Sequence, residues 1–319
     1  MSQQKSLPVW RILVNWFDND AVAAQTAANA PAHQIDWVRV LPFLALHLGC
    51  LAVAWVGVSA TAVAVAVALY LLRMFAITGF YHRYFSHRAF RTSRVVQFLF
   101  ALLGASAVQR GPLWWASQHR HHHVHADQPQ DMHSVRQHGF AWSHLGWFLA
   151  HENFATRIKR IPDLTRFPEL CFLDRFDALI PAVLGVLLFT SGEVISQLRP
   201  DLGVSGRQLL VWGLCVSTVL LYHATFTINS LAHLYGSRRY ATRDDSRNNV
   251  WLAILTLGEG WHNNHHHFPG AARQGFYWWE FDITYLGLRL LAALGLIWEL
   301  KTVPLAMRNA HLEKARGPQ

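Results

Sequence analysis

Two long stretches of the chain carry no charge. Neither Asp, Glu, Lys nor Arg occurs between Val40 and Leu72, or between Gln208 and Ser237. A bilayer core of about 30 Å takes roughly 20 helical residues. The first stretch, extended to Tyr81 with only Arg73 inside, is long enough for two passes, with Val56-Gly-Val-Ser-Ala60 as the hairpin. Ala178 to Gly192 with its flanks supplies a third pass, and the second uncharged stretch a fourth. The predicted fold class is all-α: four transmembrane helices beneath a helical cap. The expected organisation is an N-terminal interfacial helix and linker (1–36), transmembrane helices 1 and 2 (37–81) and a first cap segment (82–175). Transmembrane helices 3 and 4 (176–236) and a second cap segment ending in a C-terminal helix (237–319) follow. Within the first part, Pro8 to Phe17 reads as an amphipathic helix with Val9, Ile12, Leu13, Trp16 and Phe17 on one face. Ala21 to Ala32 reads as a linker.

Composition agrees with this picture and adds a direction. Of 319 residues, 52% are hydrophobic and 15% charged, with a positive mean hydropathy; a soluble chain of this length carries more charge. Arginine is concentrated between His82 and Arg175 and again after Leu234, while the first hairpin has no cation. The positive-inside rule then puts the cap and both termini on the cytoplasmic side. The net charge of +9 follows from that bias, and it also suits anionic lipid heads, a CoA moiety or an acidic redox partner. Three Cys (Cys50, Cys171, Cys215) make no disulfide framework, and no CxxC is present for zinc or an iron–sulfur cluster.

The chemistry lies in histidine. The chain has 20, half of them in three clusters at the edges of apolar stretches: His82-Arg-Tyr-Phe-Ser-His87, His119-Arg-His-His-His123 and His262-Asn-Asn-His265-His266-His267. Residues three and four apart share a helical face. That groups His119, His122 and His123, and likewise His262, His265 and His266. It allows His121, His122 and His125, or Asn263, His266 and His267, equally well. Asn229 and His233 share a face at the end of the last apolar stretch, so four elements aim imidazoles at one place. So many imidazoles exceed the needs of one tetrahedral zinc and point to a dimetal site. Only one Glu-x-x-His pair, Glu259 to His262, lies near it, and the clusters have few carboxylates to share. All-imidazole ligation suits iron, copper, zinc or nickel; scarce Cys and Met argue against copper handling. Such a neutral ligand set would bind oxygen-derived anions, which fits oxygen activation. His33 and His311 read as surface residues. His133, His138, His144 and His151 read as surface or outer-layer residues, and His47 and His223 as hydrogen-bonded within the bundle.

HRYFSH, HRHHH and GEGWHNNHH resemble the three histidine boxes of the integral-membrane fatty acid desaturases, of the acyl-CoA Δ9 (stearoyl-CoA) type and bacterial branch. The resemblance covers about residues 65 to 280 and includes Gly111-Pro-Leu-Trp-Trp-Ala-Ser-Gln-His119, Arg247-Asn-Asn and Thr225-Phe-Thr-Ile-Asn-Ser-Leu-Ala-His233. It implies nine imidazole ligands, His82, His87, His119, His122, His123, His233, His262, His265 and His266, with Asn229 meeting a metal through water. His121, His125 and His267 are then extra. Asp131-Met-His-Ser134 stands where the family has Asp-Pro-His-Ser, so Met132 departs from the pattern. The resemblance implies two iron ions, replaceable by zinc in overexpressed protein, and O2 as co-substrate. The implied reaction removes two hydrogens from a saturated acyl-CoA chain and leaves a cis double bond. An unactivated methylene has no acidic proton, so an oxidising cofactor has to supply the chemistry. The implied location is a bacterial inner membrane.

Further expectations follow. Tyr70, Met74 and Thr78 precede His82 at intervals of four and would line the distal end of an acyl tunnel, with Tyr70 or Met74 as its stop. Trp114, Trp115 and Trp261 beside the boxes would clamp the chain or sit in the membrane interface. Arg110, Arg120, Arg157, Lys159 and Arg160 would meet CoA phosphates or lipid heads. Without a cytochrome domain, a G-x-G-x-x-G fingerprint or a ferredoxin Cys set, the electrons are expected from a separate donor: a ferredoxin, a rubredoxin or a b-type cytochrome with its reductase. No nucleic-acid partner is expected. The competing readings are an acyl-lipid desaturase, a hydroxylase on the same metal site, and a His-rich metal transporter, which the bare helix middles disfavour.

Overall fold

The computed structural model describes Val14, residues 16–20 and residues 33–316, with side chains described as far as Ala310. Most of the expected Pro8–Phe17 helix, the Ala21–Ala32 linker and the His311 side chain lie outside the described residues. Helix α1 (Trp37–Val56) and helix α2 (Ala60–Ser86) form an apolar hairpin. Asp36 starts α1 by accepting from the Arg39 backbone N–H at 3.1 Å, and Ser59 starts α2 by accepting from Ala62 at 3.1 Å. Between them Gly57 sits at φ +72°, a conformation open to glycine without penalty. The chain then enters the cap through α3 (Arg94–Ala105), α4 (Pro112–His125) and α5 (Pro168–Arg175). It re-enters the apolar layer as α6 (Leu179–Leu198) and α7 (Gly206–His233). It finishes in the cap with α8 (Val250–Leu255), α9 (His262–His267), α10 (Ile283–Ala293) and α11 (Leu305–Arg316). Strands β1 (Arg91–Thr92) and β2 (Ile297–Trp298) pair antiparallel, Arg91 opposite Trp298, and tie the two cap segments together.

Among the described residues, four helices are thus long and apolar enough to cross a membrane. Their outer faces expose Leu41, Leu44, Leu48, Val67, Leu71, Val186 and Leu187, the inverse of a soluble protein and the pattern lipid requires. Helix α6 runs six residues beyond Gly192. Close packing permits this, since a Cβ on Gly192 would lie 2.6 Å from the Gly206 Cα. The Glu193 carboxylate is accommodated there by accepting from the Gly206 N–H at 2.9 Å.

Polar groups inside the bundle are satisfied by one another. Arg73 is buried, and its five N–H groups reach neutral oxygens: Leu69 O, Ser106 O, Thr218 Oγ1, Gly213 O and Ser217 Oγ. The Gly213 carbonyl belongs to the π-helical stretch Leu210–Val216 of α7, where the normal ladder is widened. His47 and His223 are hydrogen-bonded within the bundle, as expected. The Nε2 atoms of His47 and His223 lie 3.2 Å apart, and His223 Nδ1 lies 3.1 Å from His144 Nε2.

The main core forms where the inner end of α2 meets the cap, around Met74, Phe80, Tyr81, Phe85, Phe100, Leu113 and Leu170. Phe80 and Phe100 stack with centroids 3.6 Å apart. Tyr81 lies against Gly104, and a Cβ there would sit 2.0 Å from the tyrosine ring. Gly104→Val should therefore destabilise the protein by at least the roughly 1–3 kcal/mol of an overpacked core. Gly270→Ala, where a Cβ meets nothing within 4 Å, should be near neutral. Thermal unfolding of the detergent-purified variants, followed by size-exclusion fluorescence, checks the contrast; equal midpoints would refute it.

Candidate metal centre

Four elements bring their imidazoles to one place. The last eleven residues of α2, Ala76–Ser86, are π-helical and carry His82; the His87 N–H closes on the His82 carbonyl at 3.2 Å. Helix α4, opened by Pro112 in its first turn, carries His119, His122 and His123. The final turn of α7 tightens to a 3₁₀ turn that holds His233. Helix α9 carries His262, His265 and His266.

The rings sort into two groups. Ring nitrogens of His82, His87, His119, His123 and His265 all lie within 4.8 Å of one another, as do those of His122, His233, His262 and His266. Both α4 and α9 contribute to each group, so i, i+4 pairs and their neighbours divide between two adjacent sites. The alternative registers are not assembled. His121 Nε2 faces Gln130 O, His125 Nε2 lies 3.1 Å from Arg160 Nη2, and His267 Nε2 faces Met307 O.

The protonation pattern is that of a cation site. His122, His233 and His266 turn Nδ1 to Asp131, Asp127 and Asp244 at 3.0, 2.8 and 3.0 Å, and His82 turns Nδ1 to Glu259. A carboxylate on Nδ1 fixes the proton there and leaves Nε2 as a bare lone pair. Yet the Nε2 atoms meet: His122 with His266 at 3.4 Å, His233 with His262 at 3.1 Å, His82 with His265 at 3.0 Å. In the His122–His266 pair both rings have a carboxylate at Nδ1, so both Nε2 lone pairs face the centre, an arrangement that suits a positive ion. Burial, with the neighbouring imidazoles adding to it, holds His87, His119, His123, His262 and His265 well below the usual histidine range. They are neutral and ready to donate to a metal.

The carboxylates were the part that spacing did not reveal. Glu259 does not turn to His262, three residues on; it turns to His82, and it accepts from Arg83 at 3.0 Å and from Gln274 at 3.0 Å. Arg83 is buried and also donates to Asp282 at 2.9 Å and to Ala272 O at 2.8 Å. Burial opposes ionisation of Asp131, but His122 and His133 outweigh it and keep its carboxyl below the usual range. Asp127, at φ +57°, also accepts from Ser134 Oγ and the Asp245 N–H. The site therefore has few acidic ligands but a full acidic backing. Asp127 and Asp131, four apart just after the second box, were its one sequence signal. Met132 is packed into an aromatic cluster with Trp114 and Trp147.

An apolar cavity of about 590 Å³ runs up to His119 and Asn229. Trp114 and Trp115 line it, together with Phe43, Phe148, Pro181 and Phe226. Tyr70, Met74 and Thr78, expected along the acyl chain, do not line this cavity, and neither do Arg120, expected at phosphates or lipid heads, and Trp261, expected as a clamp or in the membrane interface. Along α2 the winding changes: a π-helical stretch turns less per residue than an α-helix, so steps of four from Tyr70 do not keep to one face. Tyr70 donates to Leu255 O at 2.7 Å, Met74 is buried in the main core, and Thr78 pairs with Thr284 at 2.7 Å. Trp261 donates to Phe281 O at 2.6 Å. Arg120 is an internal brace, donating to Phe85 O, Ser86 O and Asp163. Arg157 is held by Gln118, and Lys159 is exposed.

Comparison with known proteins agrees with this geometry. The family model described as fatty acid desaturase matches residues 58–290. A sn-1 stearoyl-lipid 9-desaturase of Anabaena variabilis is 38% identical, over 86% of this chain and 97% of its own. A sn-2 palmitoyl-lipid 9-desaturase of Nostoc sp. (strain 36) is 36% identical, over 90% and 96%. An acyl-CoA 5-desaturase of Anemone leveillei is 34% identical, over 84% and 83%. With two groups of converging imidazoles beside an apolar cavity, and matches across most of its length, the chain belongs to the fatty acid desaturase family.

Proposed function

We propose that this protein is an O2-dependent acyl-lipid desaturase, making a cis double bond at the ninth carbon of a saturated chain carried on a membrane glycerolipid. The observation that carries the reading is the apolar cavity ending on neutral imidazoles. The sequence reading favoured acyl-CoA; the stearoyl-lipid and palmitoyl-lipid relatives move the proposal to a lipid-borne chain. His82, His87, His119, His123 and His265 would hold one iron. His122, His233, His262 and His266, with Asn229 through water, would hold the other. The cap would face the cytoplasm.

When bound, the two irons supply the oxidising power of O2 that an unactivated methylene requires. The balance is simple. Two C–H bonds break and one C=C forms; O2 accepts two electrons from the substrate and two from an external donor, and with four protons leaves as two waters. The chain's own residues do the rest. Phe43, Phe148, Phe226 and the paired tryptophans hold a methylene chain in a dry channel, so that one carbon pair stays beside His119. Asp127, Asp131, Asp244 and Glu259 keep each proton on Nδ1, so that Nε2 remains a donor to the metal.

His122→Ala should abolish unsaturation and lower bound iron from two toward one per chain, measured by plasma mass spectrometry; full iron with retained activity would overturn the ligand assignment. Asp131→Asn should keep the fold but weaken metal retention or activity by about 10–100-fold, read as iron loss during dialysis. Expression in a desaturase-deficient host, with double bonds located by gas chromatography, tests the reaction itself. A hydroxy acid without an alkene would replace desaturation by hydroxylation.

A further inference from the structure

The cavity has a charged end as well as an apolar one. Arg39, Arg110 and Asp177 are the Arg and Asp side chains on its wall. Arg110 Nε donates to Asp177 at 2.6 Å, and its Nη2 reaches Asn19 Oδ1 and Phe154 O, but its buried Nη1 has no acceptor among the described residues. Arg39 is barer: Nε and Nη2 are both buried without an acceptor among the described residues. Its guanidinium rests on the Phe154 ring at 4.7 Å, and Arg110 faces the same ring at 5.2 Å. The nearest acid along the chain, Asp36, is occupied by the Arg39 backbone N–H and lies 3.0 Å from the His151 ring. Residues 1–17 and 21–35 contain no Asp or Glu, so that part of the chain has no carboxylate to offer.

Buried guanidinium donors without an acceptor carry a desolvation penalty that an anion removes. Position narrows the anion. Arg39 is in the first turn of α1, at the cap end of a membrane-spanning helix. Pro42 and Ala45 of α1 and Ala182 of α6 line the same cavity and are exposed on the outer surface, where lipid would lie. The cavity is therefore open sideways to the bilayer at headgroup depth. Of the cap cations expected to meet a CoA moiety, Arg120 is engaged with Asp163, Arg157 with Gln118 and Arg160 with His125, and Lys159 is exposed and not on the cavity wall.

Resting on the acyl-lipid reading above, we propose that Arg39, with the free Nη1 of Arg110, binds the phosphodiester of a glycerophospholipid that enters between α1 and α6. One of its acyl chains then fills the cavity toward His119. The substrate class is an anionic phospholipid, in preference to a neutral glycolipid or an acyl-CoA. A planar fork of donors suits phosphate oxygens, and fixing the headgroup sets the distance from the ester to the carbons beside the imidazoles.

The test uses the iron-loaded full chain in detergent, with O2 and a reduced ferredoxin as electron donor, and distearoyl phosphatidylglycerol, distearoyl monogalactosyldiacylglycerol or stearoyl-CoA. Phosphatidylglycerol should be retained in native mass spectra and be the preferred substrate. Arg39→Gln should lose that retention and lower kcat/KM for phosphatidylglycerol by roughly tenfold or more, the worth of a charged hydrogen bond, and for the galactolipid far less. Arg39→Lys, which keeps the charge, should recover part of the loss. Equal retention of both lipids by the parent, or equal losses on both in Arg39→Gln, would overturn the proposal. Turnover of stearoyl-CoA alone would overturn both this and the acyl-lipid reading. Retention of phosphatidylglycerol that Arg39→Gln abolishes, without turnover of any substrate, would sink desaturation but uphold the headgroup site.

Discussion

A buried group of imidazoles can exist only if every ring proton has a fixed place away from the centre. Nine rings converge here, and a protonated ring would repel its neighbours while a misplaced proton would block a lone pair. Four carboxylates remove that ambiguity by accepting at Nδ1 of His82, His122, His233 and His266. Burial keeps five others neutral. Much of the cap serves this arrangement. Arg83 exists in the core because Glu259 and Asp282 must be balanced, and the loop at Asp127 adopts a left-handed conformation to reach His233.

The winding of the helices follows from the same demand. A regular α-helix repeats its face every three or four residues, which suits His119 with His123 and His262 with His266. His82 and His87 are five apart, and the π-helical end of α2 is what lets both rings reach one group. The last turn of α7 tightens instead, and so delivers His233. At both ends that reach the histidine groups, α2 and α7 leave the regular α-helical ladder.

This explains what the sequence disclosed and what it hid. The four spans were legible because bilayer thickness imposes a length and a lack of charge that no tertiary contact alters. That histidines gather for a metal was legible in composition, but their division into two groups, drawn from both α4 and α9, was not. The carboxylate backing was not, because Asp244 reaches His266, and Glu259 reaches His82, across folds of the chain that no local period encodes. The expected tunnel stripe from Tyr70 to Thr78 assumed one helical period throughout α2, and the period changes at Ala76. The wall of the cavity joins α1, α4, α6 and α7, a combination visible only after folding.

Arg73 has a consequence for how the protein is made. Its guanidinium is satisfied in part by Ser217, Thr218 and the Gly213 carbonyl, all of which are synthesised long after α2 has left the ribosome. On insertion scales an arginine in a helix centre costs about 2.5–3.5 kcal/mol, a cost that the apolar residues of α2 have to offset. Leu69 O and Ser106 O lie outside α7, while the other three acceptors come into place only when α7 packs. The packing of α7 both completes the hydrogen bonding of Arg73 and brings His233 to the centre. One helix thus carries both the contacts that close the bundle around a buried cation and a ring of the histidine groups.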